Sequence, residues 1–194
     1  MDEEKLSLFP EVRVFAGPNG SGKSTFTTPE WIIPPYINAD EIKLREHCGD
    51  LEAAIKAGEL REEAINHRQS FTFETVMSKE RNLLLLEKAK KCGYFIKGYY
   101  ICTRSPMINV GRVQSRVESG GHDVPVDKII SRYYESVALL PRLFRVCDIL
   151  HVYDNSGDGA PYRIIRKHKN NVRIYPNEYW SALKIKRLIT DTQD

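Results

Sequence analysis

No stretch of this chain approaches the roughly 18 to 20 consecutive apolar residues that a membrane-spanning helix requires, and no repeat or low-complexity tract interrupts it. Cysteine is scarce. Cys48, Cys92, Cys102 and Cys147 lie far apart with no CxxC pair, so they are expected to be small buried hydrophobes in a reducing setting. The opening Met1-Asp2-Glu3-Glu4-Lys5 lacks a basic n-region and an apolar h-region, and a cytoplasmic, membrane-free protein is expected. A strong charge imbalance is missing too: 29 basic against 26 acidic residues give +3, which an anionic small molecule explains as well as a nucleic acid would. What remains, 194 residues with 41% hydrophobic side chains, is enough for one domain with a sizeable core.

The periodicity alternates between strand and helix. Val12 to Ala16 is a β-prone run ending in a glycine-rich turn and a helix-compatible segment, the start of a βαβ unit. Pro34-Pro35 excludes helix, so Tyr36 to Ala39 reads as a short strand with Asp40 at its end. Asp50 is placed to cap a helix whose Leu51, Ala54, Ile55, Gly58 and Ile65 fall at helical spacing. Phe71 to Val76 reads as strand, Ser78 caps a helix that contains Leu83 to Leu86 and that Gly93 ends, and Tyr94 to Cys102 is the most continuous strand signal in the chain. Ser105-Pro106 starts a helix in cap-then-proline order, Gly120-Gly121 interrupts it, and a second helix runs from Pro125 to about Leu140, before Pro141. Ile149 to Tyr153 is the last core strand, two β-prone runs (Tyr162–Ile165, Val172–Tyr175) form a hairpin, and a helix follows from about Asn177. The expected fold is α/β, a mostly parallel sheet with helices on both faces, a helical lid at about 105–135 and a C-terminal extension at about 160–194 that carries the hairpin.

The strongest motif is Gly17-Pro18-Asn19-Gly20-Ser21-Gly22-Lys23-Ser24-Thr25, a GxxxxGK[ST] sequence directly after a strand. The glycines let successive backbone N–H groups converge on one anion, the following helix adds its N-terminal dipole, Lys23 brings a mobile positive charge, and Ser24 offers a hydroxyl ligand for Mg²⁺. The motif predicts a P-loop protein, and the absence of the GTPase base-reading NKxD tilts the nucleotide toward ATP.

The remaining positions bear on whether the chain transfers phosphate. A kinase needs a base for the acceptor hydroxyl, and Asp40 is placed for it, although an Asp there also suits a helix cap. Glu74 and Thr75 end the next strand, as contacts to a polar acceptor or as exposed strand-end residues. Arg112 and Arg116 share one helical face while Val110, Val113 and Val117 lie on another. Such a pair is either a solvated face or, with Arg132 beyond the glycines, a lid that closes positive charge over phosphates. His122 is loop filler or a substrate contact, and Asp154 follows the last core strand, where it would shape the nucleotide pocket.

Taken together, Gly17 to Thr25, Asn38-Ala39-Asp40, Phe73-Glu74-Thr75, Arg112-Val113 with Arg116-Val117, Gly120-Gly121-His122 and Tyr153-Asp154-Asn155-Ser156 resemble the zeta-toxin family over about residues 10 to 160, in its small zeta-like ATPase branch. The resemblance implies a P-loop kinase that passes the ATP γ-phosphate to the 3′-hydroxyl of a UDP-N-acetyl amino sugar and is held in check by an antitoxin protein. It also implies roles: Lys23 and Ser24 on phosphates and Mg²⁺, Asp40 as base, Glu74 and Thr75 on the sugar nucleotide, Arg116 with Arg132 on the transferring phosphate. Two other classes stay open. Arg163, Arg166, Lys167, His168, Lys169 and Arg173 in the hairpin motivate a nucleic-acid-linked NTPase or RNA-end kinase, although too few aromatics accompany them for a stacking platform. A nucleotide-binding regulatory protein, covered by an antitoxin-like partner, would leave the lid arginines without catalytic work.

Overall fold

A computed structural model describes residues 9–121 and 123–190. Seven strands form one sheet in the order β2-β3-β1-β4-β5-β6-β7. They are β1 (Glu11–Ala16), β2 (Tyr36–Ile37), β3 (Phe71–Thr75), β4 (Phe95–Cys102), β5 (Ile149–Asp154), β6 (Tyr162–His168) and β7 (Asn171–Ile174). Neighbours from β2 through β5 pair in parallel, and β6 and β7 add antiparallel strands as the expected hairpin. The helices are α1 (Lys23–Phe26), α2 (Ala39–Glu46), α3 (Asp50–Asn66), α4 (Glu80–Lys91), α5 (Pro106–Glu118), α6 (Val126–Val146) and α7 (Ala182–Arg187).

Strand alternation decides what lies on each side of the sheet. Val12, Val14, Ile96, Tyr100, Leu150 and Val152 join the main core with Leu83 and Leu86 of α4 and Leu140 and Leu143 of α6. Each such buried aliphatic side chain contributes on the order of 2 kcal/mol. Phe15, Tyr99 and Ile101 point the other way, where aromatic rings do most of the covering: Phe15 stacks on Tyr99 at 4.8 Å, Trp31 meets Tyr99 edge-on at 5.1 Å, and Phe26 of α1 packs on Tyr153 at 4.9 Å.

Several local expectations need correction. The segment after the phosphate loop is helical for one turn only, because Pro29 opens a separate 3₁₀ turn, Pro29–Trp31. The strand before Asp40 is two residues long, and Asn38 caps α2 by accepting the Asp40 N–H at 2.9 Å. Asp40 is therefore a first-turn residue of α2 and not its cap. Helix α3 is capped by Gly49, and it packs through Ala53, Ala57, Gly58, Ala64 and Ile65 while Leu51 and Ile55 face solvent. Lys79, not Ser78, precedes α4. Helix α6 runs through Pro141 to Val146, because Leu140, Leu143 and Val146 bury themselves in the core and outweigh the single backbone hydrogen bond that proline forfeits. The last helix begins at Ala182, after a turn in which Asn177 Oδ1 accepts the N–H groups of Tyr179 and Trp180. Among the cysteines, Cys102 and Cys147 are buried, Cys48 is partly so, and Cys92 is exposed.

Helices α5 and α6 carry a small core of their own, Val110, Val113, Val124 and Ile129, with Val117 and Ile130 against it. The valine face of α5 thus holds the two helices together, which leaves its arginines to look elsewhere. Among the described residues no helix is long and apolar enough to cross a membrane.

Candidate active site

The carboxyl ends of β1 and β3 open into a cavity of 630 Å³. On its floor lies the phosphate loop, with Gly17, Gly20 and Gly22 at φ 146°, 75° and 91°. A side chain would be intolerable there on two counts: each φ is one that L-residues avoid, and a Cβ would lie 2.1 Å from the Ile101 carbonyl, 2.5 Å from the Asn109 carbonyl or 2.3 Å from the Asn155 amide. Asparagines from three parts of the chain fix the loop. Asn155 Nδ2, just past β5, donates to Ser21 O at 2.8 Å, and Asn109 Nδ2 of α5 donates to Asn19 O at 2.7 Å. Asn19 Oδ1 in turn accepts from Arg132 of α6 at 3.5 Å.

Lys23 is buried and donates to the carbonyls of Gly17 at 2.9 Å and Pro18 at 3.1 Å. Burial lowers its pKa, opposed by the nearby carboxylates of Glu74 and Asp40 and reinforced by Arg116. Those four residues, predicted from separate segments of sequence, face one cavity together with Ser24 and Arg132.

Glu74 is the hub on the β3 side. Its Oε1 accepts from Ser24 Oγ at 3.4 Å, and its Oε2 accepts from Thr27 Oγ1 at 3.1 Å and from the Tyr36 hydroxyl at 3.2 Å. Burial, then the Glu74 carboxylate, hold the Tyr36 phenol above its ordinary pKa, so it remains a donor. Thr75 also lines the cavity, but its hydroxyl accepts the Met77 N–H at 3.0 Å and the Asn82 amide at 2.7 Å, which makes it a turn-former. Arg112 lines the cavity while donating to Asn155 O at 2.6 Å and Gly157 O at 3.3 Å, so its guanidinium steadies the loop whose Asn155 clamps the phosphate loop. His122 lies outside the described residues. Asp154 sits in a separate recess with Arg104 and Tyr179, and its Oδ1 accepts the Ser156 N–H at 3.1 Å.

Gly120-Gly121 caps α5. The Gly120 N–H reaches Val117 O and the Gly121 N–H reaches Arg116 O, both at 2.9 Å, with Gly120 at φ 84°. This two-bond pattern is a Schellman stop that places Arg116 in the final turn. Sequence patterns assign no site role to Tyr36, Arg61, Asn82 and Asn109, since no motif marks a lone asparagine, tyrosine or arginine; Asn155 enters only as part of Tyr153-Asp154-Asn155-Ser156.

The donor set suits a nucleotide with magnesium. Among the described residues no group of three or more His, Cys, Asp or Glu gathers to hold a metal. Ser24 with one carboxylate fits Mg²⁺, which takes few protein ligands and completes its shell with phosphate oxygens and water.

No protein-family model matches the chain. An uncharacterized protein of Haemophilus influenzae is 30% identical to it over 140 residues, which is 69% of this chain and the whole of that one. The chain belongs to that protein's family. In structure it is similar to the AvrRxo1-ORF1:-ORF2 complex with ATP, at TM-score 0.72 and 14% identity, covering 95% of this chain. The chain spans only 64% of that neighbour's length. It is also similar to the PezAT chromosomal toxin–antitoxin system of Streptococcus pneumoniae, at TM-score 0.55 and 16% identity, over 76% of this chain and 68% of the other. The chain shares its fold with both of these structures.

Proposed function

We propose that this protein is an ATP-dependent phosphotransferase that moves the γ-phosphate to a hydroxyl of a small molecule. The observation that carries the reading is the convergence of Lys23, Ser24, Asp40, Glu74, Arg116 and Arg132, from five separate elements, on one cavity floored by the phosphate loop. Backbone N–H groups of Asn19, Gly20, Gly22, Lys23 and Ser24 would bind the β- and γ-phosphates, and Lys23 would leave the Gly17 and Pro18 carbonyls for them. Mg²⁺ held beside Ser24 and Glu74 would neutralise phosphate charge.

Asp40, whose backbone is fixed by the Asn38 cap, would take the proton of the acceptor hydroxyl. Arg116 and Arg132, brought over the loop by the small lid core, would stabilise charge on the transferring group and exclude water. The zeta-toxin resemblance favours a UDP-N-acetyl amino sugar as acceptor, contacted through Glu74, and the likeness to a toxin–antitoxin system favours an antitoxin-like partner protein.

Two of the six basic hairpin residues behind the nucleic-acid alternative are already engaged within the protein. Lys167 donates to the Cys147 carbonyl at 2.7 Å and to that of Phe144, closing the end of α6, and Arg163 lies 5.5 Å from the Tyr175 ring. The test is transfer from labelled ATP with Mg²⁺ to a panel of UDP-sugars, nucleosides and short RNAs. Label on a sugar nucleotide supports the reading; label on RNA alone, or on nothing although ATP binds, overturns it.

A further inference from the structure

The side of the cavity formed by α3 and α4 contains two arginines that neither the nucleotide nor the proposed transfer uses. Arg61 is 6% exposed, with its guanidinium 4.6 Å over the Phe73 ring. Its Nη1 donates to Asn82 Oδ1 at 3.2 Å and its Nη2 to Ile37 O at 3.3 Å, while its Nε is buried with no partner. Arg81 approaches from the first turn of α4, and its Nη2 lies 2.1 Å from where a Cβ on Gly58 would stand. The guanidinium therefore occupies space on α3 that only glycine leaves free. No carboxylate pairs with either arginine among the described residues.

Two neighbouring guanidiniums without a counter-charge repel, and one of them is almost fully desolvated. Burial first, and the charge of Arg81 second, pull Arg61 down to about 10. An arrangement this unfavourable becomes favourable when an anion joins it, because charge-assisted bonds to phosphate are stronger than neutral ones and suit the planar guanidinium fork. Asn82 ties Arg61 to the end of β3 through its bond to Thr75, so the pair belongs to the wall of the cavity beyond the phosphate loop.

We infer that Arg61 and Arg81 form a second anion site that holds a phosphate or diphosphate group of the acceptor while the acceptor's hydroxyl faces Asp40. The acceptor role rests on the phosphotransferase reading; the existence of the site does not. Gly58 is then a specificity element, since it leaves room on α3 for the Arg81 guanidinium.

The experiment is a calorimetric titration of pyrophosphate into protein saturated with Mg²⁺ and a non-hydrolysable ATP analogue, which leaves the phosphate loop occupied. The expected result is one further pyrophosphate per chain, weakened on the order of tenfold by Arg81→Gln. Gly58→Ala should weaken it similarly while leaving the fold intact, because alanine is the better helix former and only the tip of a flexible arginine has to move. Affinity for the ATP analogue should be unchanged in both variants. Absence of pyrophosphate binding to the loaded protein, competition with the ATP analogue, or equal affinity in wild type and both variants would overturn the inference. A protein that takes up the pyrophosphate as described yet transfers phosphate to no acceptor would contradict the phosphotransferase reading and leave the anion site standing.

Discussion

At the scale of single residues, the phosphate loop is held by side chains from distant parts of the chain. Asn155 is the clearest, because its amide both donates to Ser21 O at 2.8 Å and fills the space over Gly22. Asn155→Ala should leave that carbonyl without its donor and lower stability by about 1 to 2 kcal/mol. Nucleotide affinity should fall with it, which a thermal melt and a binding titration on the same variant would check. If affinity falls while the melt stays put, the clamp acts on the ligand and not on the resting loop. The hub at Glu74 is a second case: Ser24, Thr27 and Tyr36 all donate to it, so Glu74→Gln should lower turnover more than it lowers ATP binding.

At the scale of elements, α5 and α6, the proposed lid, share a private core, and a Schellman stop ends α5. The two glycines have different duties. Gly120 has the positive φ and open space around its missing Cβ, so Gly120→Ala should cost about 1 kcal/mol of stability and leave turnover near wild type. At Gly121 a Cβ would lie 2.6 Å from Arg116 Cγ and 2.9 Å from Arg116 O, so Gly121→Ala should displace Arg116 and lower kcat. Steady-state kinetics beside denaturant melts would separate the two; equal loss of kcat in both variants would contradict these assignments. The same elements show what the sequence made readable. The strand before Gly17, the alternation, the valine face of α5 and the Ser105-Pro106 start were legible because each is a local pattern of apolar spacing or capping. The face that α3 buries was not, because small residues chosen to line a cavity replace the large apolar side chains that mark an ordinary core face. Nor was the passage of α6 through Pro141, since a helix that is buried on both sides of a proline is secured by packing that local propensity does not register.

On the scale of the whole molecule, the sheet face opposite the main core is made of aromatic rings with basic neighbours, and it confers a pH dependence. His151 lies 5.6 Å from Tyr99 with its Nδ1 buried and unpartnered. Burial first, then the charges of Arg163 and Lys97, depress its pKa from 6.5 to about 4. The unfolded chain therefore takes up this proton more readily than the folded one between those values. Its contribution to stability is full above pH 6.5 and is lost as the pH falls toward 4, at up to about 1.4 kcal/mol per pH unit. His151→Phe should flatten that part of the stability–pH curve. An unchanged slope in the variant would mean that carboxylates alone account for acid sensitivity. Across the molecule, motif spacing flags the phosphate loop, Asp40, Glu74, Arg116 and Arg132, which line one cavity, whereas nothing in the sequence flags Arg61 and Arg81 on the same lining: their placement depends on α3 and α4 meeting in space at Gly58.

The central claim, that one cavity both binds ATP and deprotonates an acceptor, is tested most directly by Asp40→Asn, which keeps the size and backbone cap of the residue and removes the base. The measurement is ATP affinity and the rate of label transfer to the acceptor found in the panel, taken on the same preparation. The account predicts wild-type affinity with transfer reduced on the order of 10² to 10⁴-fold. Transfer at the wild-type rate in Asp40→Asn would contradict it.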